Sequence, residues 1–428
     1  MRTVEDHQAA VRDLLGSIER GSELLHLSPQ EISARPDDYR NRVLAADVRA
    51  PIDLPPFDNS QMDGYAVRST ELSQASQAAP VARAVGTVIA AGDPVGSLAA
   101  GVAAPIMTGA PIPAGADAVV PIERSDPARF FTNPTENAQN TENTENTVRF
   151  AAPVSAGTFV RAAGSDVRAG TVLCAAGTQL GPAVLGVLAS SGVVDVPVVR
   201  RISVLLLSTG HELRQPGTTL KSGQIYDANS TMLTAALHGA GARVSALRVP
   251  DRPAELLAAV SASADLVDLV VSTGGVSAGA FEVVREALEP AGVQFGPVAM
   301  QPGGPQGLGR AQLAHLAASV PVVAFPGNPV SALVSFELFL RPALLRLAGL
   351  HASRPVESLP LAHAVDSMPA KHQVRRGIVN EAGMVELVGG PSSHLLHAYA
   401  QSSVLVHLPV GLAHADAGEN VEIWRIDD

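Results

Sequence analysis

The stretch from Asp265 to Leu288, DLVDLVVSTGGVSAGAFEVVREAL, constrains the fold of this chain more than any other. It opens with an apolar run from Leu266 to Val271, broken only by Asp268. A run of that kind reads as a strand buried on both faces, the habit of parallel sheets. The run ends in Ser272-Thr273-Gly274-Gly275, and from Phe281 to Leu288 the apolar spacing suits a helix packed back on the sheet. Strand, glycine turn and helix make half of a βαβ unit, and ligands of such sheets sit outside the carboxyl ends of the strands. The two glycines either form a plain tight turn or let backbone N–H groups approach an oxyanion, helped by the helix start behind them.

The same syntax recurs over 200–347. RISVLLLSTGHEL, residues 201–213, is a second parallel-type strand, ending in Ser208-Thr209-Gly210. A third, Pro321 to Phe325, ends in Pro326-Gly327-Asn328-Pro329, with a helix expected from Ser331 to Leu347. Between them lie Ile225-Tyr226-Asp227-Ala228-Asn229, a helix at about 230–239, a strand at 243–249 and a helix at about 253–264. Alternating strands and helices argue for an open α/β sheet. Three strand ends bearing glycine, hydroxyl and amide groups would then meet on one edge, a more specific signal than any one of them.

The flanks read differently. Val4, Val11, Leu14, Leu15 and Ile18 fall near one face of a helix over 3–20; Ser28-Pro29-Gln30-Glu31 opens a second helix, and Asp37 to Ala46 suits a further short one. Residues 50–68, APIDLPPFDNSQMDGYAVR, hold three prolines and an Asp-Gly step, so they form an ordered loop feeding a short strand. Asp58 and Asn59 suit turns that bond their own backbone, whereas Asp63 stands as a candidate for a site. Short β runs punctuated by Gly and Pro fill 81–120, where Met107-Thr108-Gly109-Ala110 puts a hydroxyl at a strand end. Residues 125–147 repeat Thr-Glu-Asn at 135, 141 and 144 and read as a low-complexity, mobile loop extending a hairpin. Ala183 to Ala189 suits a short buried helix capped by Gly192, and 355–428 returns to β text with Arg375-Arg376-Gly377 and Ser392-Ser393-His394 as polar features.

Composition narrows the function classes. A chain of 428 residues calls for two to four domains. A net charge of −11 argues against a nucleic-acid or membrane-surface binder. The single cysteine, Cys174, excludes a disulfide framework and a cysteine metal cage. No signal peptide and no run of 18 apolar residues is seen, so the cytoplasm is expected. The candidate set holds acids (Asp63, Glu212, Asp227, Asp268), oxyanion-binding backbone (Gly210, Gly274, Gly275) and loop-fixing prolines (Pro302, Pro305). Paired carboxylates at strand ends suit Mg²⁺, which takes one or two carboxylates plus substrate phosphates. Neither a P-loop string nor a G-x-G-x-x-G string occurs, which disfavours a P-loop NTPase and a dinucleotide enzyme.

Seven motifs in order, FDNSQMDGYAVR, IMTGAPIPAGADAVVPIE, VRAAGSDVRAG, STGHEL, GQIYDAN, VSTGGVSAGAFEVV and FPGNPVSA, resemble the molybdopterin molybdenumtransferase (MoeA) family, related to the gephyrin E domain. The resemblance spans nearly the whole chain outside 125–147. It implies α/β plus all-β architecture in four parts: an elongated discontinuous domain (1–49 and 149–198), an inserted β domain (50–148), an open, mostly parallel α/β molybdopterin-binding domain (199–347) and a C-terminal β domain (348–428). It also implies a cytoplasmic homodimer with its site at the subunit junction, supplied by a molybdopterin adenylyltransferase. The implied reaction inserts molybdate into adenylylated molybdopterin, with Mg²⁺ assisting and AMP released.

Residue roles follow from the same resemblance. Gly274, Gly275 and Ser277 would cradle the pterin phosphate or adenylate, with Gly210 and Asn229 beside them. Glu212, Asp227 and Asp268 would hold the metal or orient the adenylyl phosphate, Glu212 and Asp227 being the metal pair. Asp63 and Thr108 would close the site, Pro302 and Pro305 would shape its wall, and Arg375, Arg376 and Ser393 match a patch for molybdate, since cationic forks suit a tetrahedral dianion. The chain departs from the family where QPGGP, residues 301–305, replaces KPGKP, where Arg285 stands for a lysine, and where His211 stands at a commonly acidic position. Fewer cations near a polyanion weaken its binding, which leaves a diverged paralogue as one alternative. A molybdopterin adenylyltransferase or nucleotide hydrolase, and a non-catalytic scaffold, are the others. The proposal requires the turns after Leu207, Val271 and Phe325 to share one crevice, with an arginine in reach.

Overall fold

A computed structural model of the chain describes residues 1–130, 147–277, 282–313 and 319–426. The chain forms two compact units. One holds Met1–Leu25, Ile32–Ala45 and Pro197–Asp428, and the other holds His26–Glu31 and Ala46–Val196.

The first unit is built around a six-stranded sheet. In chain order its strands are β1 (Ser203–Thr209), β2 (Arg243–Val249), β3 (Leu269–Thr273), β4 (Val293–Pro297), β5 (Pro305–Ala311) and β6 (Val320–Phe325). Their spatial order is β2-β1-β3-β6-β5-β4, with the first four parallel and the last two antiparallel. The apolar runs behave as double-faced strands should. Val204, Leu206, Leu269, Val271, Val323 and Phe325 point into one core. There they meet α1 (Val4–Gly16), α2 (Ala228–Gly239) and α5 (Pro329–Ser335). Leu205, Leu207, Val270, Val322 and Ala324 point the other way, onto α3 (Pro253–Ser263) and α4 (Val283–Leu288). Period-two alternation thus feeds two helical layers.

Local chemistry sets the helix ends. Thr3 and Asp6 form a capping box at α1, and Pro253 and Pro329 sit in the first turns of α3 and α5, where the missing N–H costs nothing. The helix expected over Ser331–Leu347 is three pieces: α5, a π-helical turn at Phe336–Leu340, and α6 (Arg341–Leu347). The helix expected over Asp37–Ala46 is reduced to a 3₁₀ turn at Pro36–Asp38. Asn41 takes φ 52° and Leu44 bridges Val198, so tertiary pairing overrides the local pattern. The strand begun in sequence at Leu266 starts at Leu269, since Leu266 is exposed. Phe281 lies outside the described residues.

The same unit carries a C-terminal sheet in which His372–Val379, Val404–Leu408, Asn420–Arg425 and Val356–Pro360 follow one another. Met300–Gln301 joins its edge through the register Met300↔His372, anchoring the following proline-rich loop.

The second unit contains another six-stranded sheet, from Gly64–Val67, Val81–Val85, Val102–Ile106, Ala118–Pro121, Ser125–Asp126 and Thr147–Phe150. Tyr65, Ala103, Val120 and Phe150 fill its core. Gly64 of the Asp-Gly step is required there, since a Cβ would stand 2.1 Å from the Val120 carbonyl oxygen. Ser125 pairs with Phe150 and Asp126 with Arg149, so the chain leaves and re-enters one sheet around 131–146, which lie outside the described residues.

Candidate functional site

The parallel register aligns the carboxyl ends of four strands. Thr209 stands beside Val249, Ser208 beside Thr273, and Thr273 beside Phe325. The turns that follow enclose a crevice of about 890 Å³, lined among others by Gly210, Glu212, Asp227, Asn229, Asp251, Gly274, Gly275, Ser277, Glu282, Gln301, Pro302, Pro305, Asn328, Ser393 and His394. The turns after Leu207, Val271 and Phe325 therefore do share one side of the sheet.

Asn229 ties these turns together. It is buried at the start of α2, and its Nδ2 donates to Thr273 Oγ1 at 2.8 Å and to the Gly327 carbonyl at 2.7 Å. Thr273 Oγ1 in turn donates to the Pro326 carbonyl at 3.2 Å, and Gly274 N–H donates to the Phe325 carbonyl at 3.1 Å. The glycines are needed for closeness. A Cβ on Gly327 would sit 3.3 Å from Gly274 Cα, and Gly275, at φ +62°, would put one 2.9 Å from the Val284 nitrogen.

Acids dominate the lining. Asp227 is the N-cap of α2, where Oδ1 accepts from Ser230 N–H at 3.0 Å and Oδ2 from Ser230 Oγ at 2.6 Å. Glu212 is exposed, and its carboxylate makes no hydrogen bond or ion pair among the described residues. Glu282, the N-cap of α4, accepts from the backbone and hydroxyl of Ser277. Asp251 follows the end of β2 and accepts from His211 N–H at 2.7 Å while its carboxylate meets His211 Nδ1 at 2.8 Å. Among the described residues the lining holds four carboxylates and neither lysine nor arginine, so the arginine that the sequence reading requires in reach is not among the lining residues. Asp251 and Glu282 were missed from sequence. Asp251, in Val249-Pro250-Asp251 just past β2, was recognisable as a fourth strand end.

Two expected members fall elsewhere. Asp268 precedes β3, at the amino end of the sheet, whereas the crevice lies at the carboxyl ends. There it grips Arg200 in a two-pronged pair at 2.9 and 2.9 Å and accepts from Ser203 N–H at 2.8 Å. Burial alone would raise its carboxyl pKa, but the bonds from Arg200 and Ser203 outweigh it and hold the group below its usual value. Asp268 is thus a structural clamp, an outcome of strand polarity that a run of letters does not reveal. Arg285 is likewise not in the lining: it faces Glu289 one turn on, at 3.1 and 3.2 Å.

Arg375 and Arg376 lie behind the crevice wall, buried in the strand His372–Val379. Arg375 donates to the Gly389 carbonyl, and Arg376 to those of Gly390 and Ser392, so both brace the loop that presents Ser393. The Val330 N–H, at the start of α5, donates to the Ser393 carbonyl. Burial pushes both guanidinium pKa values down. Arg375 Nε and Arg376 Nε and Nη1 are buried donors without a partner among the described residues. Gln301, one of the departures from the usual lysines, accepts from Gln373 Nε2 and so sits in the wall as a neutral, fixed amide.

Asp63 and Thr108 belong to the second unit. Asp63 Oδ1 accepts from Thr108 N–H and Thr108 Oγ1, each at 2.7 Å, and these bonds lower its pKa although the carboxylate is exposed.

Comparison with known proteins agrees with this architecture. Residues 2–192 match the family described as MoeA N-terminal region (domain I and II), and residues 205–346 match the probable molybdopterin binding domain. Molybdopterin molybdenumtransferase 2 of Mycobacterium tuberculosis is 40% identical over 437 residues, covering 100% of both chains. The chain belongs to the MoeA family. A second MoeA relative, molybdopterin molybdenumtransferase of Haemophilus influenzae, is 35% identical over 395 residues, covering 90% of this chain and 91% of that one. A solved MoeA structure from Pyrococcus horikosii, titled a molybdopterin biosynthesis protein, superposes with a TM-score of 0.79 at 29% identity, over 99% of this chain and 98% of that chain. The strand-end crevice falls largely within the matched molybdopterin-binding segment of the MoeA fold.

Proposed function

We propose that this chain is a molybdopterin molybdenumtransferase that inserts molybdenum into molybdopterin in molybdenum cofactor biosynthesis. The observation that carries the reading is the four-strand crevice, most of whose lining lies within the segment matched to a probable molybdopterin binding domain and which is large enough for a pterin nucleotide. The substrate is adenylylated molybdopterin, made upstream by an adenylyltransferase, and the second substrate is molybdate. AMP is the released product. The enzyme acts as a homodimer in the cytoplasm, with Asp63 and Thr108 completing a site.

The acidic lining argues for a divalent cation. A phosphate-bearing ligand facing four carboxylates and no lysine or arginine needs counter-charge. Glu212 offers an unengaged carboxylate, and each Asp227 oxygen keeps a lone pair beyond its bond to Ser230. Among the described residues no group of three or more His, Cys, Asp or Glu could hold a metal. That donor set suits Mg²⁺, which binds through one or two carboxylates plus substrate phosphates. When bound, the ion supplies charge neutralisation at the adenylyl phosphate. Glu212 and Asp227 would hold it, while the N–H of Gly275 orients the phosphate, that of Gly274 being committed to the Phe325 carbonyl. Molybdate would be received at Ser393, with the buried guanidinium groups of Arg375 and Arg376 lending positive charge from behind the wall.

The test is AMP release from adenylylated molybdopterin by the purified chain. Release that needs both molybdate and Mg²⁺, and falls at least a hundredfold in Asp227→Ala, is expected. Consumption of ATP to adenylylate molybdopterin would instead assign the preceding step.

A further inference from the structure

A second pocket, of about 240 Å³, opens in the first unit and shares no lining residue with the crevice. It lies among α1, the π-helical turn Phe336–Leu340, α6 and the paired strands Val356–Pro360 and Asn420–Arg425. Its charge is opposite to that of the crevice. Among the described residues, Arg12, Arg341, Arg346 and Arg354 line it against a single carboxylate, Glu337, a formal surplus of three positive charges. The whole chain carries −11, so a local surplus of this size runs against the average surface.

The arrangement is built rather than incidental. Arg354 grips Glu337 with both prongs at 3.0 Å, and Arg341 Nε approaches the same carboxylate at 3.8 Å. Glu337 and Arg354 are each only 9% exposed at the side chain, so this carboxylate is already committed. Arg12 and Arg346 are exposed at the mouth, and neither guanidinium makes a hydrogen bond or ion pair among the described residues. The π-helical turn is bonded to α1: the Leu338 carbonyl within it accepts from Gln8 Nε2 at 3.1 Å, one turn before Arg12. Turns of this kind are rare and concentrate at functional sites. Phe339, Pro342, Ala352 and Trp424 give the pocket an apolar side.

Guanidinium forks match phosphate oxygens in pairs, and clustered cations in a partly desolvated recess are stabilised by an anion. We propose that this pocket is an oxyanion site for a small phosphate-type ligand, free or as a compact monoester, separate from the molybdopterin crevice. Arg12 and Arg346 clasp the anion at the mouth, and Trp424 borders it.

The chain has one tryptophan, so fluorescence reports this pocket directly. The full-length protein is titrated with inorganic pyrophosphate and, separately, with glycerol phosphate, at constant ionic strength held by chloride. A saturable change in emission is expected, weakened tenfold or more in Arg12→Ala/Arg346→Ala and retained in Glu212→Gln, which alters only the crevice. Tighter binding of pyrophosphate assigns the site to a free oxyanion, and tighter binding of glycerol phosphate to a monoester. The single variants Arg12→Ala and Arg346→Ala, each truncating an exposed side chain, give the same comparison if the double variant fails to fold. Binding of neither probe beyond the chloride control, undiminished binding in the arginine variants, or loss of the response in Glu212→Gln would overturn the proposal.

Discussion

Replacing Asn229 tests the idea that one buried amide holds the crevice together. Asn229→Ala removes two donated bonds, to Thr273 Oγ1 at 2.8 Å and to the Gly327 carbonyl at 2.7 Å. Each is worth about 1 kcal/mol, and the stranded acceptor on the buried Thr273 hydroxyl adds about 1–3 kcal/mol. Truncation also removes Asn229 Oδ1, a buried acceptor without a partner among the described residues, which offsets about 1 kcal/mol. The net loss is about 2–4 kcal/mol, or roughly 3–7 °C in the melting temperature of a unit of this size. Asn229→Asp should be worse than alanine, because it keeps the orphaned oxygen and turns the donor facing Gly327 into a second acceptor. The assay is thermal melting of both variants, followed by molybdopterin binding, which should weaken at least tenfold as the turns separate. Equal tolerance of alanine and aspartate, or alanine binding molybdopterin as tightly as the parent, would refute the reasoning.

Other outcomes follow from the same geometry. Gly275→Ala places a β-carbon in left-handed backbone, 2.9 Å from the Val284 nitrogen, so α4 must shift. A stability loss of about 2–3 kcal/mol is expected in urea unfolding. Asp268→Asn loses the charged clamp on Arg200, with an expected loss of about 1–3 kcal/mol, yet molybdate-dependent AMP release per folded molecule should be unchanged, since the clamp is at the far end of the sheet. His7 is buried against Phe339, and burial, aided by Arg2, lowers its pKa to about 4. A histidine lowered in the folded state contributes stability above its unfolded pKa of about 6.5 and loses it as pH falls toward the folded value. Its share of the loss between pH 7 and pH 5 is about 2 kcal/mol, so His7→Leu should flatten the pH dependence of unfolding by that amount.

Much of this protein is set by local pattern. Double-faced apolar runs such as SVLLLST and VPVVAF can be satisfied only inside a sheet covered on both sides, and the glycines after them mark where backbones must approach. The sequence therefore determined the α/β sheet, its strand-end crevice, and Glu212, Asp227, Asn229, Gly274 and Gly275 within it. Ordered motifs likewise specified the family. The two antiparallel-paired strands Val293–Pro297 and Pro305–Ala311 escaped notice, because their glycines and prolines interrupt the apolar run that announces a strand.

Tertiary structure decided what depends on direction and on meetings across the chain. Which end of β3 an aspartate occupies sent Asp268 to Arg200 rather than to the crevice, and only packing could show it. The burial of Arg375 and Arg376 behind Ser393 depends on the C-terminal sheet joining at Met300. The acidity of the crevice and the cationic pocket at Glu337 are also properties of assembly. Charge is summed over residues hundreds of positions apart, and an interaction that falls with distance in space is invisible to spacing along the chain.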